Sequence, residues 1–103
     1  MAAGRLVTVA RAADVPAGAV CPVRADELEL ALARVDGAFY ATQPTCPHLG
    51  GPLGHGRLDG FVLTCPWHGW QFDVTTGENE FDRAITIETY AVVVEQGEVK
   101  VVV

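Results

Sequence analysis

Residues 46–53, Cys-Pro-His-Leu-Gly-Gly-Pro-Leu, and residues 65–73, Cys-Pro-Trp-His-Gly-Trp-Gln-Phe-Asp, decide the reading of this chain. Between them they place Cys46, His48, Cys65 and His68 in a C-x-H, sixteen-residue, C-x-x-H pattern. Two thiolates and two imidazoles make a mixed soft donor set. Thiolate neutralises ferric iron and imidazole binds without adding charge, so such a set suits either tetrahedral zinc or an iron–sulfur cluster. The spacings differ in what they favour. Cys65-Pro-Trp-His68 would serve one zinc ion, whereas Cys46-Pro-His48 is short for a structural zinc pair, whose ligands usually stand two to four residues apart. A loop whose Cys and His point at different metals is better served by the tight spacing, which favours [2Fe–2S] and leaves a zinc-stabilised binding module as the competitor.

Outward from these stretches the pattern is β throughout. Residues 5–10 read as a first strand, 13–18 as the loop leaving it, and 19–24 as a second strand. Leu28, Leu30 and Leu32 alternate with Glu29, Ala31 and Ala33, so residues 27–35 predict a strand with one buried face. Asp36-Gly37 is a hairpin signal, returned by residues 38–42. Asp59-Gly60 turns into 61–64, which ends at Cys65, and residues 85–95 and 98–103 predict a closing hairpin about Gln96-Gly97. No helix is expected beyond short turns. The donor pairs therefore fall on two loops, residues 43–58 and 65–72, in a small subdomain of about residues 43–73 set on an antiparallel sandwich or barrel base.

Glycine and proline sharpen the loops. Five of the eleven glycines lie between Gly50 and Gly60, where the backbone is expected to curl round a compact anion. Pro47 and Pro66 each follow a Cys and stiffen the loop by fixing φ. Trp67 and Trp70 either pack or shield the centre and meet a partner. His55 and Arg57 read as surface residues, and Cys21, within a strand pattern, as a small buried apolar group.

At the two quoted stretches the chain resembles the Rieske [2Fe–2S] proteins, with looser likeness in strand and turn order over nearly its whole length. The resemblance implies an all-β fold with a two-loop cluster-binding subdomain. It further implies that Cys46 and Cys65 hold the inner iron of one [2Fe–2S] cluster and His48 and His68 the outer iron near solvent, while Cys21 and His55 match no ligand. Rieske proteins of respiratory complexes carry a further, bridged Cys in each loop, where this chain has Gly51 and Trp67. They also carry a Ser and a Tyr whose hydroxyls stabilise the reduced cluster, where this chain has Trp70 and Phe72. Their loss moves the expected potential toward the low end of the Rieske range, roughly −150 mV. The likeness is therefore to the oxygenase-associated branch.

Oxygenase subunits of that branch add an iron held by two His and a carboxylate, and one spare His cannot build it. The expectation is thus a ferredoxin and not itself an enzyme: a one-electron carrier from an NAD(P)H-dependent flavoprotein reductase to a terminal ring-hydroxylating oxygenase, as in aromatic hydrocarbon catabolism. The small Rieske-like subunit of an assimilatory nitrite reductase is the alternative. The docking face is expected at Leu49, Gly50, Pro66 and Trp67. With 103 residues, half of them apolar, the chain is expected to form a single monomeric domain over 1–103. It has no long apolar run and three Cys, which predicts a cytoplasmic protein without disulfides or membrane contact. The net charge of −6 disfavours nucleic acid and anionic membrane, and it either serves solubility or steers toward basic partner surfaces.

Overall fold

Hairpin chemistry sets the register of the structure, a computed structural model that describes residues 4–103. The first four strands are β1 (Leu6–Arg11), β2 (Val20–Ala25), β3 (Leu28–Val35) and β4 (Ala38–Thr42). Asp36 takes a left-handed φ of 53°, and across Asp36-Gly37 Val35 pairs with Ala38. The last three are β8 (Thr89–Tyr90), β9 (Val92–Glu95) and β10 (Glu98–Val102). Gln96 and Gly97 are both left-handed, φ 52° and 77°, which matches the right-handed twist of the β9–β10 hairpin they join.

Three antiparallel sheets result, in the orders β1-β10-β9, β2-β3-β4-β8 and, for the three short strands β5 (Arg57–Asp59), β6 (Val62–Thr64) and β7 (Gln71–Asp73), β5-β6-β7. The first two sheets enclose one core, in which Leu30, Leu32 and Phe39 meet Val99 and Val101. A second core lies between the middle sheet and the third, where Ala31 and Ala33 meet Leu53, Leu63, Phe72, Val74 and Ile87. Both cysteines of the loop motifs, Cys46 and Cys65, belong to that second core. No helix among the described residues is long and apolar enough to cross a membrane; two 3₁₀ turns, Ala12–Asp14 and Leu53–His55, interrupt the β structure.

Four expectations change. Strand β3 is not half-buried: Leu30, Ala31, Leu32 and Ala33 are all within 1% of full burial. Leu30 and Leu32 face one core and Ala31 and Ala33 the other, and the small alanine face lets the third sheet approach closely. The run 85–95 is not one strand. It divides at Ala91, because Tyr90 pairs with Ala41 in the middle sheet while Val92 pairs with Val101 in the other, so the chain crosses between sheets there. Residues 57–58 and 71–72, expected as loop, lie in strands β5 and β7. Gly56 permits the first, since a Cβ there would collide with the Thr64 carbonyl across the β5–β6 pair. Cys21 is half-buried at the edge of the first core, and burial pushes its thiol pKa up.

Candidate metal centre

The two motif loops have the same shape. Cys46 N–H donates to the Gly51 carbonyl and Cys65 N–H to the Trp70 carbonyl, each at 2.8 Å, closing a six-residue turn on both sides. In each, the fourth and fifth residues are left-handed: Leu49 and Gly50 at φ 82° and 76°, His68 and Gly69 at 64° and 76°. Glycine takes that conformation freely, whereas Leu49 and His68 are held in it at a cost of about 1–2 kcal/mol each. Superimposed by position, His48 answers to Trp67 and Leu49 to His68. The different spacings of the two motifs are thus one residue of offset within equal loops.

The loops lie face to face. A Cβ on Gly51 would stand 2.5 Å from the Cys65 sulfur and 3.1 Å from Cβ of Trp67. The other glycines of the run do different work: Gly54 packs on the Pro22 backbone, Gly56 on Thr64, and Gly60 makes a turn at φ 60°. Of the run, only Gly50 and Gly51 lie within the turns that carry the candidate donors, Gly51 facing Cys65 and Trp67.

The four candidate donors form two pairs. Cys46 and Cys65 are both 2% exposed and belong to the same core. Burial raises the Cys46 thiol pKa most, the nearby His48 backbone partly opposes this, and the Cys65 side chain raises it further. Nearer the surface, the imidazoles of His48 and His68 meet edge to face with centroids 5.1 Å apart. His68 is exposed; His48 is half-buried, and its Nδ1 is a buried polar atom with no partner. Such an orphan costs about 1–3 kcal/mol unless something binds it. Among the described residues no three Cys, His, Asp or Glu side chains converge about a single point.

Around this tip stand the residues expected to dock a partner: Leu49 is 66% exposed, Trp67 49%, and Gly50 and Pro66 are exposed as well. His55 and Arg57 are exposed. His55 borders a separate cavity of about 480 Å³ with Pro22, Glu29 and Pro52, which none of the four donors lines. Sequence reasoning undervalued Trp70, whose indole stacks on His48 with centroids 4.3 Å apart and planes 3° from parallel. It missed Phe81 altogether. That ring packs edge-on against Trp70 at 5.1 Å. The signal was the Asn79-Glu-Phe-Asp turn sequence, since Asn favours turns that its side chain can cap.

Residues 5–91 match the family model of the Rieske [2Fe-2S] domain. The chain belongs to that family. It is 39% identical over 95 residues to ferredoxin CarAc of Metapseudomonas resinovorans, an alignment covering 90% of this chain and 89% of that protein. A solved complex of reduced oxygenase and oxidized ferredoxin in carbazole 1,9a-dioxygenase contains a chain of 37% identity, which superimposes with TM-score 0.85 over 94% of this chain and 92% of that one. A nitrite reductase small subunit from Mycobacterium tuberculosis superimposes with TM-score 0.89 over 97% and 96% of the two chains at 20% identity, a likeness of fold alone.

Proposed function

We propose that this protein is a Rieske-type ferredoxin that takes single electrons from an NAD(P)H-dependent flavoprotein reductase and delivers them to a terminal ring-hydroxylating oxygenase. The observation that carries the proposal is the similarity, across about nine-tenths of both chains, to ferredoxins of carbazole dioxygenase systems. The nitrite reductase likeness extends to the fold only. On this reading residues 1–103 are one monomeric carrier domain working in the cytoplasm.

Cys46 and Cys65 would hold the inner iron and His48 and His68 the outer one of a [2Fe–2S] cluster. Three observations support the fit. Two buried thiols sit side by side with one of them disfavoured as a free thiolate, the state in which a metal is their natural counter-charge. The orphaned His48 Nδ1 needs a partner. The Rieske [2Fe-2S] family match over residues 5–91 fits a two-iron cluster rather than one zinc ion. When bound, the cluster supplies reversible one-electron chemistry.

The protein's own residues do the rest. Leu53, Leu63 and Phe72 exclude water from the cysteine side, while Trp70 fixes the plane of His48 by stacking. His68 offers the open edge, flanked by apolar Leu49 and Trp67, so a partner meets a small dry surface close to the donors. Such an interface is small and weak, as turnover between two partners requires. The charge of −6 favours basic partner surfaces and speeds encounter at low salt.

The test is reconstitution. Iron-loaded protein, a flavoprotein reductase and NADH are combined with the carbazole 1,9a-dioxygenase terminal oxygenase, and product is measured against a mixture lacking the carrier. Product formation that requires this protein is expected. A carrier that is reduced but is reoxidised only by a nitrite reductase would move it to the other system.

A further inference from the structure

Phe81 is an exposed aromatic ring on a loop built to hold it still. Its side chain is 64% exposed, yet its backbone is fixed by Asn79, which is 1% exposed. Asn79 Oδ1 accepts the N–H of Phe81 at 2.9 Å and of Asp82 at 3.0 Å, and Asn79 N–H itself donates to Ile85 at 2.9 Å. Asp82 caps the same turn by accepting the Ala84 N–H at 3.0 Å. The arrangement carries a cost, because Asn79 Nδ2 is buried without a partner. What it achieves is to seat an apolar ring in water, edge-on to Trp70, which in turn lies flat on His48. The core gains little from a ring so exposed.

Taking the carrier reading above as given, we infer that Phe81 is a second docking anchor for the terminal oxygenase, separate in sequence from the loop-tip residues and joined to the His48 side of the centre through Trp70. The occupant is that oxygenase because the ring continues the apolar tip around the donor that such a partner must approach. Its chemistry follows from what surrounds the ring. Residues 78–83, Glu-Asn-Glu-Phe-Asp-Arg, carry three acids and one base. The complementary surface is an apolar recess large enough for a phenyl ring, rimmed by basic side chains. Fixing the loop beforehand lowers the ordering cost of binding, and aromatic anchors in dry recesses are where interface energy concentrates. On this reading the partner grips Phe81 beyond Trp70 in addition to exposed Leu49 and Trp67, which sets its orientation as well as its distance.

The experiment uses the iron-loaded full chain, reduced chemically and mixed by stopped flow with the oxidised carbazole 1,9a-dioxygenase terminal oxygenase. Phe81→Ala should fold, since the ring is mostly in solvent. It should lower the second-order rate constant for electron transfer about tenfold, the loss of one anchor, with the visible spectrum and reduction potential unchanged. Phe81→Leu should recover most of the rate. Glu80→Lys, whose side chain supports no turn, should slow transfer at low salt and flatten its salt dependence. Wild-type rates for Phe81→Ala overturn the inference. So does a slower rate accompanied by an altered spectrum or potential, because Phe81 would then act only by positioning Trp70 over His48. A wild-type protein that fails to reduce the oxygenase defeats the carrier reading itself, and the inference with it.

Discussion

Gly51 and Trp67 face each other where another branch of the family has a bridged pair of cysteines, and the structure gives that difference a measurable size. A Cβ built on Gly51 lies 3.1 Å from Cβ of Trp67. Disulfides bring Cβ atoms to about 3.5–4.5 Å, so the double substitution Gly51→Cys with Trp67→Cys needs the loops to part by only about half an ångström. The bond would close a loop of about 17 residues and, in the chain-entropy account, stabilise by about 3 kcal/mol. The lost Trp67 ring and the crowding of the Cys65 sulfur, 2.5 Å from the same Cβ, burden the oxidised and reduced forms of the variant alike. They drop out when those two forms are compared. For a chain of this size about 3 kcal/mol is worth at least about 10 °C of melting temperature. The assay is therefore thermal melting of one iron-loaded variant with and without a thiol reductant, the bond being verified by mass. If the bond forms and the two forms melt within about 2 °C, the loops are already immobilised in the unfolded reference and the entropy argument fails. If the thiols stay free under oxidising conditions, the loops do not face each other as described.

Three other outcomes are expected. Cys46→Ser or Cys65→Ser should abolish stable iron loading, since a hard oxygen poorly replaces the soft thiolate, and iron content with the visible spectrum reads this directly. The reduction potential should lie near roughly −150 mV by voltammetry, because Trp70 and Phe72 bring no hydroxyl to the sulfurs. Phe72→Tyr should raise it while costing about 1–3 kcal/mol, as Phe72 is fully buried and the added oxygen overfills its site. Folding stability should fall at alkaline pH. Burial raises Cys21 from its ordinary 9.0, and burial with the nearby Glu88 charge raises Tyr90 from 10.0. Both groups bind protons more tightly when folded, so their contribution is complete below pH 9.0 and is lost as pH climbs through the raised values. Denaturant melts of Cys21→Val against wild type should show the part due to Cys21 disappear.

The motif spacing singled out Cys46, His48, Cys65 and His68 because ligand spacing is a local constraint, and the fold brings the two histidines into ring contact and the two cysteines into one core although 22 positions separate the first donor from the last. Hairpin signals at Asp36-Gly37 and Gln96-Gly97 were readable for the same reason, a turn being decided by the residues in it. What stayed hidden was decided by partners distant in sequence. Alternation in residues 27–35 reads as one wet face, since nothing local says that Ala31 and Ala33 will be covered by a sheet formed thirty residues later. The break at Ala91 is invisible in a run of β-formers because either sheet alone would accept all of it.

The equal shape of the two loops explains why such a site needs unequal motifs. Both loops place a Cys first and left-handed backbone at the fourth and fifth residues, so two identical sequences would put their histidines on equivalent positions. Moving His48 back to the third position breaks that equivalence. It turns one imidazole inward, where Trp70 covers its face and Nδ1 is buried, and leaves the other, His68, on the exposed fourth position that Leu49 fills in the first loop. One histidine is thereby held by packing and the other left exposed. Exchanging the residues of the first loop, with His at 49 and Leu at 48, should remove the stack on Trp70 and expose both imidazoles. The protein would then lose the shelter that distinguishes one histidine from the other.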